Sequence, residues 1–397
     1  MKILMVNKFL YPRGGAETYV LKLGKMLQDL GHEVQYFGMD HPERTVGNRI
    51  GSYTANMDFH GGSALAKLTY PFRIIYSAEA RKKLRAVLED FEPEVCHLNN
   101  FNYQLTPSII LEIRKWEKQT GHKCRIVYTA HDPQLVCPNH MCLNPGTRRI
   151  CQECLDGRYG SCIAGRCIHE SFARSVLGAM ESTLWHRLGV YRELDVIVSC
   201  SHFLKTLLDR DPVLVEKTVV LHNFVEKAEP KQVSKKDYVL YFGRYSQEKG
   251  IATLVEAAKR LPQISFIFAG SGPDAWRLDG IENIVNVGFK QREELEALIR
   301  EARFTVIPSE CYENCPFSVL ESINYGTPVL GADIGGIPEL IRGNGALFAS
   351  GDVEQLVEKI QELWQNRGLL ADYEAACAAS EFDSLETYAG KLLAYYC

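Results

Sequence analysis

No stretch of this 397-residue chain approaches the roughly 18–20 consecutive apolar residues that cross a bilayer. The opening "MKILMVN" is too short for the apolar region of a signal peptide, and acidic residues follow soon after. There is no low-complexity segment and no short-period repeat. Net charge is −4, which argues against a dedicated nucleic-acid binder. These absences set the expectation of a cytoplasmic protein, where free thiols are the default and structural disulfides are not expected.

What is present is a globular composition, 46% hydrophobic and 24% charged, in a chain too long for one ordinary core. Two domains are therefore expected. Charge is uneven: residues 1–200 carry a net +5 and the remainder −9. The basic excess includes "ARKKLR" (80–85). Such a patch reads first as a solvated helix face, with a weak site for anionic lipid headgroups as the functional alternative.

The apolar pattern alternates strands with amphipathic helices. "KILMVN" (2–7) ends in the loop "KFLYPRGGAE", a helix follows until Gly31, and "HEVQYFG" is the next strand. "EVCHLNN" (94–100), "CRIVYTA" (124–130) and "DVIVSCS" (195–201) continue the series. After the charged stretch "EKAEPKQVSKKD" (226–237) the pattern restarts at "YVLYFG" (238–243) and runs through "SFIFAGSGP", "FTVIPS" and "PVLGA". Strands alternating with helices imply parallel sheets covered on both faces. The economical reading is α/β, two Rossmann-like doubly wound domains facing across a cleft: 1–224, a linker 225–237, 238–380, and a C-terminal helix 381–397 returning to the first domain.

Six of thirteen cysteines fall in one stretch, Cys137 to Cys167, with spacing C-x4-C-x8-C-x2-C-x7-C-x4-C. Spacing alone leaves a disulfide knot, a metal clip and a redox motif open. Cys151 and Cys154 lie among Pro145, Gly146, Gly157, Gly160 and Gly165, not at a strand-to-helix turn as a redox pair requires. A segment so poor in apolar residues gains order from a thiolate-bound zinc, with an iron–sulfur cluster or unliganded thiols as alternatives.

In the second half, Arg244 and Lys249 of "GRYSQEKG" (243–250) sit on a loop feeding a helix, which suits a diphosphate. Glu313 and Glu321, with seven residues between them, flank the turn Cys315-Pro316 before the helical "FSVLESINY". A loop carboxylate there can meet sugar hydroxyls, and a helix carboxylate can accept the hydroxyls of a ribose. His131-Asp132 follows a strand, where α/β sites form, whereas His97 reads as structural. Glu17 reads as a helix N-terminal charge. Asp209-x-Asp211, before Pro212, reads as a turn and not as a metal site.

Strand–"GRYSQEKG", "AGSGP" (269–273), "VGF" (287–289) and the E-x7-E segment resemble the family 4 retaining glycosyltransferases in order and spacing. "YPRGGAE" (11–17), "VCHLNN" and "YTAHD" (128–132) are similar to that family's acceptor-domain loops. The resemblance implies the GT-B fold and a metal-independent hexosyl transfer with retention, from a nucleotide sugar of UDP, GDP or dTDP type. It implies a glycan or lipid-linked acceptor, no catalytic cofactor, and a place at the inner membrane face. It further implies that Arg244 and Lys249 hold the donor diphosphate and that Glu321 binds the ribose. Glu313, with the backbone of Asn314, Cys315, Pro316 and Phe317, would grip the transferred sugar. Gly14 and Gly15 would let backbone approach the diphosphate, Phe289 and Lys290 with Gly270 and Gly272 would lie near the base, and His131 would reach the donor sugar. Members with a similar cysteine pattern point to Cys137, Cys151, Cys154 and Cys167 as zinc ligands.

The chain departs from the family pattern at "NCPFS", where glycines are usual, at "LHNF" (221–224), and at Asn99, where a second histidine is frequent. Two other readings stay open: a same-fold sugar-nucleotide epimerase or phosphorylase, and a metal-binding interaction module on a degenerate transferase scaffold.

Overall fold

The computed structural model describes residues 1–56, 73–226, 228–229, 231 and 233–397. It divides into one unit of Met1–His222 with Leu385–Cys397 and a second of Asn223–Ser384. Positions 227, 230 and 232 of the linker expected at 225–237 lie outside the described residues. No helix among the described residues is long and apolar enough to cross a membrane.

The strands of the first unit are β1 (Lys2–Val6), β2 (Glu33–Phe37), β3 (Val95–Leu98), β4 (Arg125–Ala130), a short hairpin of β5 (Leu143–Asn144) and β6 (Arg149–Ile150), β7 (Val196–Ser199) and β8 (Thr218–Val220). Six of them form a parallel sheet in the order β2-β1-β3-β4-β7-β8. Helices cover both faces of such a sheet, so its strands read as continuous apolar runs; Ile3 to Val6 are fully buried. The helix Gly15–Asp29 buries Tyr19, Val20, Leu23 and Leu27 on one face. It stops where expected, at Gly31, whose φ of +86° suits glycine.

The helix Leu385–Leu393 and the residues after it belong to this unit and are tied in by polar contacts. The hydroxyl of Tyr388 meets that of Tyr19 at 2.8 Å, and the Tyr396 hydroxyl meets His97 Nδ1 at 2.6 Å. His97 Nε2 contacts Thr129 Oγ1 at 2.7 Å, so both ring nitrogens are satisfied inside the core. Part of the basic stretch 80–85 is engaged within the unit: Arg81 and Arg85 both bond to the buried carboxylate of Glu112. In the expected turn, Asp209 pairs with Lys205 at 2.8 Å and Asp211 with His186 at 3.2 Å.

The second unit contains β9 (Val239–Arg244), β10 (Phe266–Ser271), β11 (Ile284–Asn286), β12 (Phe304–Ile307), β13 (Val329–Ala332) and β14 (Gly345–Phe348). Their order is β11-β10-β9-β12-β13-β14, again all parallel. One core packs Val239, Tyr241, Phe266, Phe268, Phe304 and Leu330 against the amphipathic helices Ile251–Arg260 and Val353–Gln365. The expected doubly wound α/β architecture is thus present twice. Strands β8, β11 and β14 were not expected. They are short outer strands with half-exposed residues, so their apolar signal is weak.

Candidate active site

In a doubly wound sheet the strand order reverses on either side of the first strand, and the loops leaving the carboxyl ends there diverge to leave a crevice. In the second unit that reversal lies between β9 and β12. Arg244 ends β9, and Lys249 follows in the same loop, just before the helix Ile251–Arg260. The loop leaving β12 carries Ser309, Glu313 and the start of the helix Phe317–Asn324. Topology therefore delivers the two cations and the first glutamate to one place.

Two glycines bring these loops together. Gly250 has φ +71°, and a Cβ there would stand 1.8 Å from the Pro308 carbonyl oxygen. Gly335 has φ +64°, and a Cβ would stand 2.3 Å from the Glu313 carbonyl oxygen; the Gly336 N–H donates to that oxygen at 2.6 Å. Only a residue without Cβ fits either position.

The result is a charge pair. Lys249 Nζ donates to Glu313 Oε1 at 2.5 Å, and Ser309 Oγ donates to the same oxygen at 2.8 Å. Oε2 receives no hydrogen bond among the described residues. Burial of Lys249 works to lower its pKa, but the charge of Glu313 and the hydrogen bond to it outweigh burial, and the pKa is raised. The ammonium is thus a fixed cation at any physiological pH. Arg244, at the end of β9 where the same loop begins, is exposed, with the Tyr241 hydroxyl donating to its carbonyl at 2.8 Å. One fixed and one exposed cation, with a carboxylate oxygen facing away from both bonds, can receive an anion and a polyol side by side.

The other expected donor residues are placed as follows. Glu321 is half-buried on the helix Phe317–Asn324, whose N-cap is Pro316; Asn314 and Phe317 are also half-buried. The Cys315 thiol is buried and accepts the Asn223 N–H at 3.4 Å, while its carbonyl accepts Asn223 Nδ2 at 2.9 Å. Burial pushes that thiol up to about 12, and that of Cys311 likewise. Both are neutral fillers of the loop, and Cys315 has only backbone to offer a ligand. Gly270 and Gly272 allow backbone packing: a Cβ on either would lie about 2 Å from Gly243 O or Tyr245 O respectively. Phe289 is 65% exposed, and Lys290 is paired with Glu294 at 2.9 Å.

In the first unit the reversal lies between β1 and β3. Gly14 is the extended N-cap of the helix Gly15–Asp29 and both glycines are exposed. Glu17 is buried and accepts Asn7 Nδ2 at 3.4 Å. His131 Nε2 lies 2.9 Å from Asn99 Oδ1, so that nitrogen carries the proton. Asn99 thus serves as the acceptor for His131. Lys8 was not singled out in the sequence, hidden among the residues of an ordinary-looking loop. It lies under this site, its Nζ donating to Asn102 O at 3.3 Å. Burial lowers its pKa, opposed by Asp132 and Glu17; burial raises Asp132 to about 6, opposed by Lys8.

Burial also lowers His97, His131 and His140 to about 3 each. A histidine held neutral when folded contributes stability that is complete above its unfolded pKa of about 6.5 and is lost as pH falls below it. Asp132 acts oppositely, stabilising most at low pH and losing that contribution as pH rises through about 6. Glu181, which burial raises to about 8, acts in the same direction as Asp132. Three histidines then oppose two carboxyls, and melting temperature should fall between pH 6.5 and pH 5, where the histidines protonate in the unfolded chain. His97→Gln should flatten that slope; an unchanged slope would remove His97 from the explanation.

The expected zinc clip finds no support. Among the described residues no set of three or more His, Cys, Asp or Glu could hold a metal ion. Cys137, Cys151, Cys154 and Cys167 line a common cavity with Cys142 and Cys162, and the Cys137 thiol donates to Asn139 Oδ1 at 3.0 Å.

Comparison with known proteins decides the family. Residues 13–229, more than half of the chain, match the family described as Glycosyltransferase Family 4, and residues 224–378 match Glycosyl transferases group 1. The chain belongs to glycosyltransferase family 4. Among its relatives is an uncharacterized 42.6 kDa protein of the cps region of Klebsiella pneumoniae, 23% identical over 90% of this chain and 91% of that one. The sulfoquinovosyl transferase SQD2 of Arabidopsis thaliana is 34% identical, over 34% of this chain and 28% of its own length. Solved GT-B transferases share the fold of this family 4 glycosyltransferase. Sucrose-phosphate synthase from Thermosynechococcus elongatus matches with a TM-score of 0.69 and 17% identity, covering 100% of this chain and 98% of that one. Anabaena HepE in complex with UDP matches with a TM-score of 0.66 and 18% identity, covering 99% of each.

Proposed function

We propose that this family 4 glycosyltransferase moves a hexose from a nucleoside-diphosphate sugar to a glycan or lipid-linked acceptor, with retention of anomeric configuration. The observation that carries the reading is the Lys249–Glu313–Ser309 cluster at the strand-order reversal of the second sheet. Residues 238–380 are the donor domain in this reading, and 1–224 the acceptor domain. Arg244 and Lys249 offset the negative charge that builds on the diphosphate as the glycosidic bond breaks, which is the main chemical demand of the step. Lys249 is suited to this because its charge is fixed by Glu313 before any ligand arrives. Glu313 Oε2 accepts from a sugar hydroxyl, Glu321 accepts the ribose hydroxyls, and Phe289 offers an exposed ring to the base. In the first unit, His131, held by Asn99, is the residue this reading assigns to sugar contact. The departing phosphate oxygen takes the acceptor's proton, so neither glutamate acts as nucleophile.

Support for the donor class comes from HepE, whose structures contain UDP and UDP-glucose. Support for a saccharide acceptor comes from the names of two partial relatives, the O-antigen chain mannosyltransferase C and the amylovoran biosynthesis glycosyltransferase AmsK. A thermal screen of UDP-, GDP- and dTDP-sugars tests the reading. A ligand at a hundred times its dissociation constant stabilises by about 2.7 kcal/mol, enough for a shift of several degrees. One nucleotide class should produce that shift, and proton NMR of the product should show the donor's anomeric configuration. If no class shifts the melting temperature, the donor assignment fails; an inverted product would refute retention alone.

A further inference from the structure

The helix Phe172–Arg187 reverses the usual pattern of a surface helix, which shows polar residues to water and apolar ones to the core. Its buried face holds Ser175, Glu181 and Ser182 beside Gly178, Ala179 and Trp185. Side-chain hydrogen bonds hold that face in place. Ser175 Oγ accepts the Ile168 N–H at 3.0 Å, Ser182 Oγ donates to Glu181 Oε2 at 3.3 Å, and Trp185 Nε1 donates to the Ile75 carbonyl at 3.1 Å. Ala179 packs with Cys154, Tyr159, Cys162 and Cys167 of the Cys-rich segment. The solvent face, by contrast, is apolar along its whole length. Phe172, Val176, Met180, Leu184 and Leu188 recur every fourth residue, which sets them in one stripe about 24 Å long, with Ala173 and Leu177 beside it. Phe172, Met180, Leu184 and Leu188 are 37–60% exposed. One exposed apolar side chain means little, but a contiguous row marks a surface that meets something other than water. Tyr76, also exposed, stacks on Trp185 of this helix with ring centroids 6.3 Å apart, an amphipathic ring of the kind that favours a lipid–water boundary.

Charge decides what covers the row. The helix has one acidic residue, Glu181, and it is buried. Arg174 and Arg187, near its two ends, and Arg166 before it are exposed, and no ion pair among the described residues engages them. Glu170 is the one exposed acid in the turn leading into the helix. A second copy of the chain is a poor cover. A two-fold interface brings the same patch together from both chains, so these unpaired cations would face their own kind. An anionic lipid surface suits both properties: it takes apolar side chains at the headgroup boundary and pairs arginines with phosphates. The basic stretch 80–85 fits less well, because Arg81 and Arg85 are already engaged by Glu112.

We propose that the helix Phe172–Arg187 lies flat on an anionic lipid bilayer, with Phe172, Met180, Leu184 and Leu188 at the headgroup–acyl boundary and Arg166, Arg174 and Arg187 against lipid phosphates. The contact is peripheral and reversible, made by one face of one helix. It goes beyond the donor chemistry and does not depend on it, since binding needs no sugar nucleotide. Salt weakens the arginine part by screening and leaves the apolar part in place.

The test is flotation of the full chain, without nucleotide, on vesicles of phosphatidylcholine alone and of phosphatidylcholine and phosphatidylglycerol in equal parts. The chain should float with the anionic vesicles and lose affinity as salt rises. Met180→Ser with Leu184→Ser should weaken that binding by at least about tenfold, through the apolar area lost. Arg174→Gln with Arg187→Gln should weaken it by about fivefold per arginine on anionic vesicles and leave neutral ones unaffected. Lys82→Gln with Lys83→Gln, on the helix Ala78–Phe91, should leave it unchanged. All six side chains are exposed, so circular dichroism of each variant should match that of the parent. Absence of binding to anionic vesicles, or a loss confined to the Lys82 and Lys83 changes, would overturn the proposal. So would light scattering that shows a dimer broken by the Met180 and Leu184 changes, which would give the face to a second copy.

Discussion

Lys249→Ala should lower turnover by about a hundredfold to a thousandfold, the range found when one preorganised charge-stabilising group is removed from a transition state. The side chain supplies a cation of the diphosphate loop that is fixed in place by a partner, Glu313 at 2.5 Å. Arg244 is exposed and adjusts to solvent, so it cannot replace that preset charge. The fold should survive. The pair is only partly buried, with Lys249 33% and Glu313 13% exposed, and Ser309 still bonds the remaining carboxylate. Its loss therefore falls between that of an exposed pair and that of a broken buried one, roughly 1–2 kcal/mol. Turnover measured with the donor found by thermal screening, beside circular dichroism of the variant, checks both parts. Near-normal turnover would remove Lys249 from the diphosphate site.

Gly250→Ala should destabilise the second unit by at least about 3 kcal/mol. The left-handed backbone costs an alanine roughly 1–2 kcal/mol. The remainder arises because the new methyl would meet the Pro308 carbonyl at 1.8 Å, a backbone atom that no rotamer change can move aside. Gly280 provides the control: its φ is +74° but nothing lies within 4 Å, so Gly280→Ala should cost only the backbone part. Comparing the two variants by urea unfolding separates conformational strain from the loop contact. Equal losses would mean that the approach of the β9 and β12 loops does not depend on Gly250.

The fold was legible because parallel strands buried on both faces announce themselves as apolar runs, and their alternation with amphipathic helices leaves few topologies. Strands with little burial, such as Ile284–Asn286 and Gly345–Phe348, escaped for the same reason. Sequence placed Arg244, Lys249 and Glu313 on loops after strands. It could not show that Lys249 and Glu313, 64 residues apart, touch. That contact depends on Gly250 and Gly335, whose value lies in what a side chain would strike, a property with no local signal. Lys8 is similar: nothing in "NKFL" distinguishes a half-buried lysine from a solvated one. Cysteine spacing suggested four ligands to one metal, whereas six cysteines line one small cavity and no metal-holding set is found among the described residues, because spacing fixes proximity but not how the sulfurs are arranged.

The donor site is tested most directly by calorimetric titration of the intact chain with UDP, GDP and dTDP and with the matching monophosphates. The expected result is that one diphosphate binds at least about tenfold more tightly than its monophosphate, a difference of about 1.4 kcal/mol. That advantage should vanish in Lys249→Ala while the monophosphate binds as before. No binding of any diphosphate, or an undiminished preference for the diphosphate in Lys249→Ala, would contradict the assignment of the Lys249–Glu313 loops to the donor.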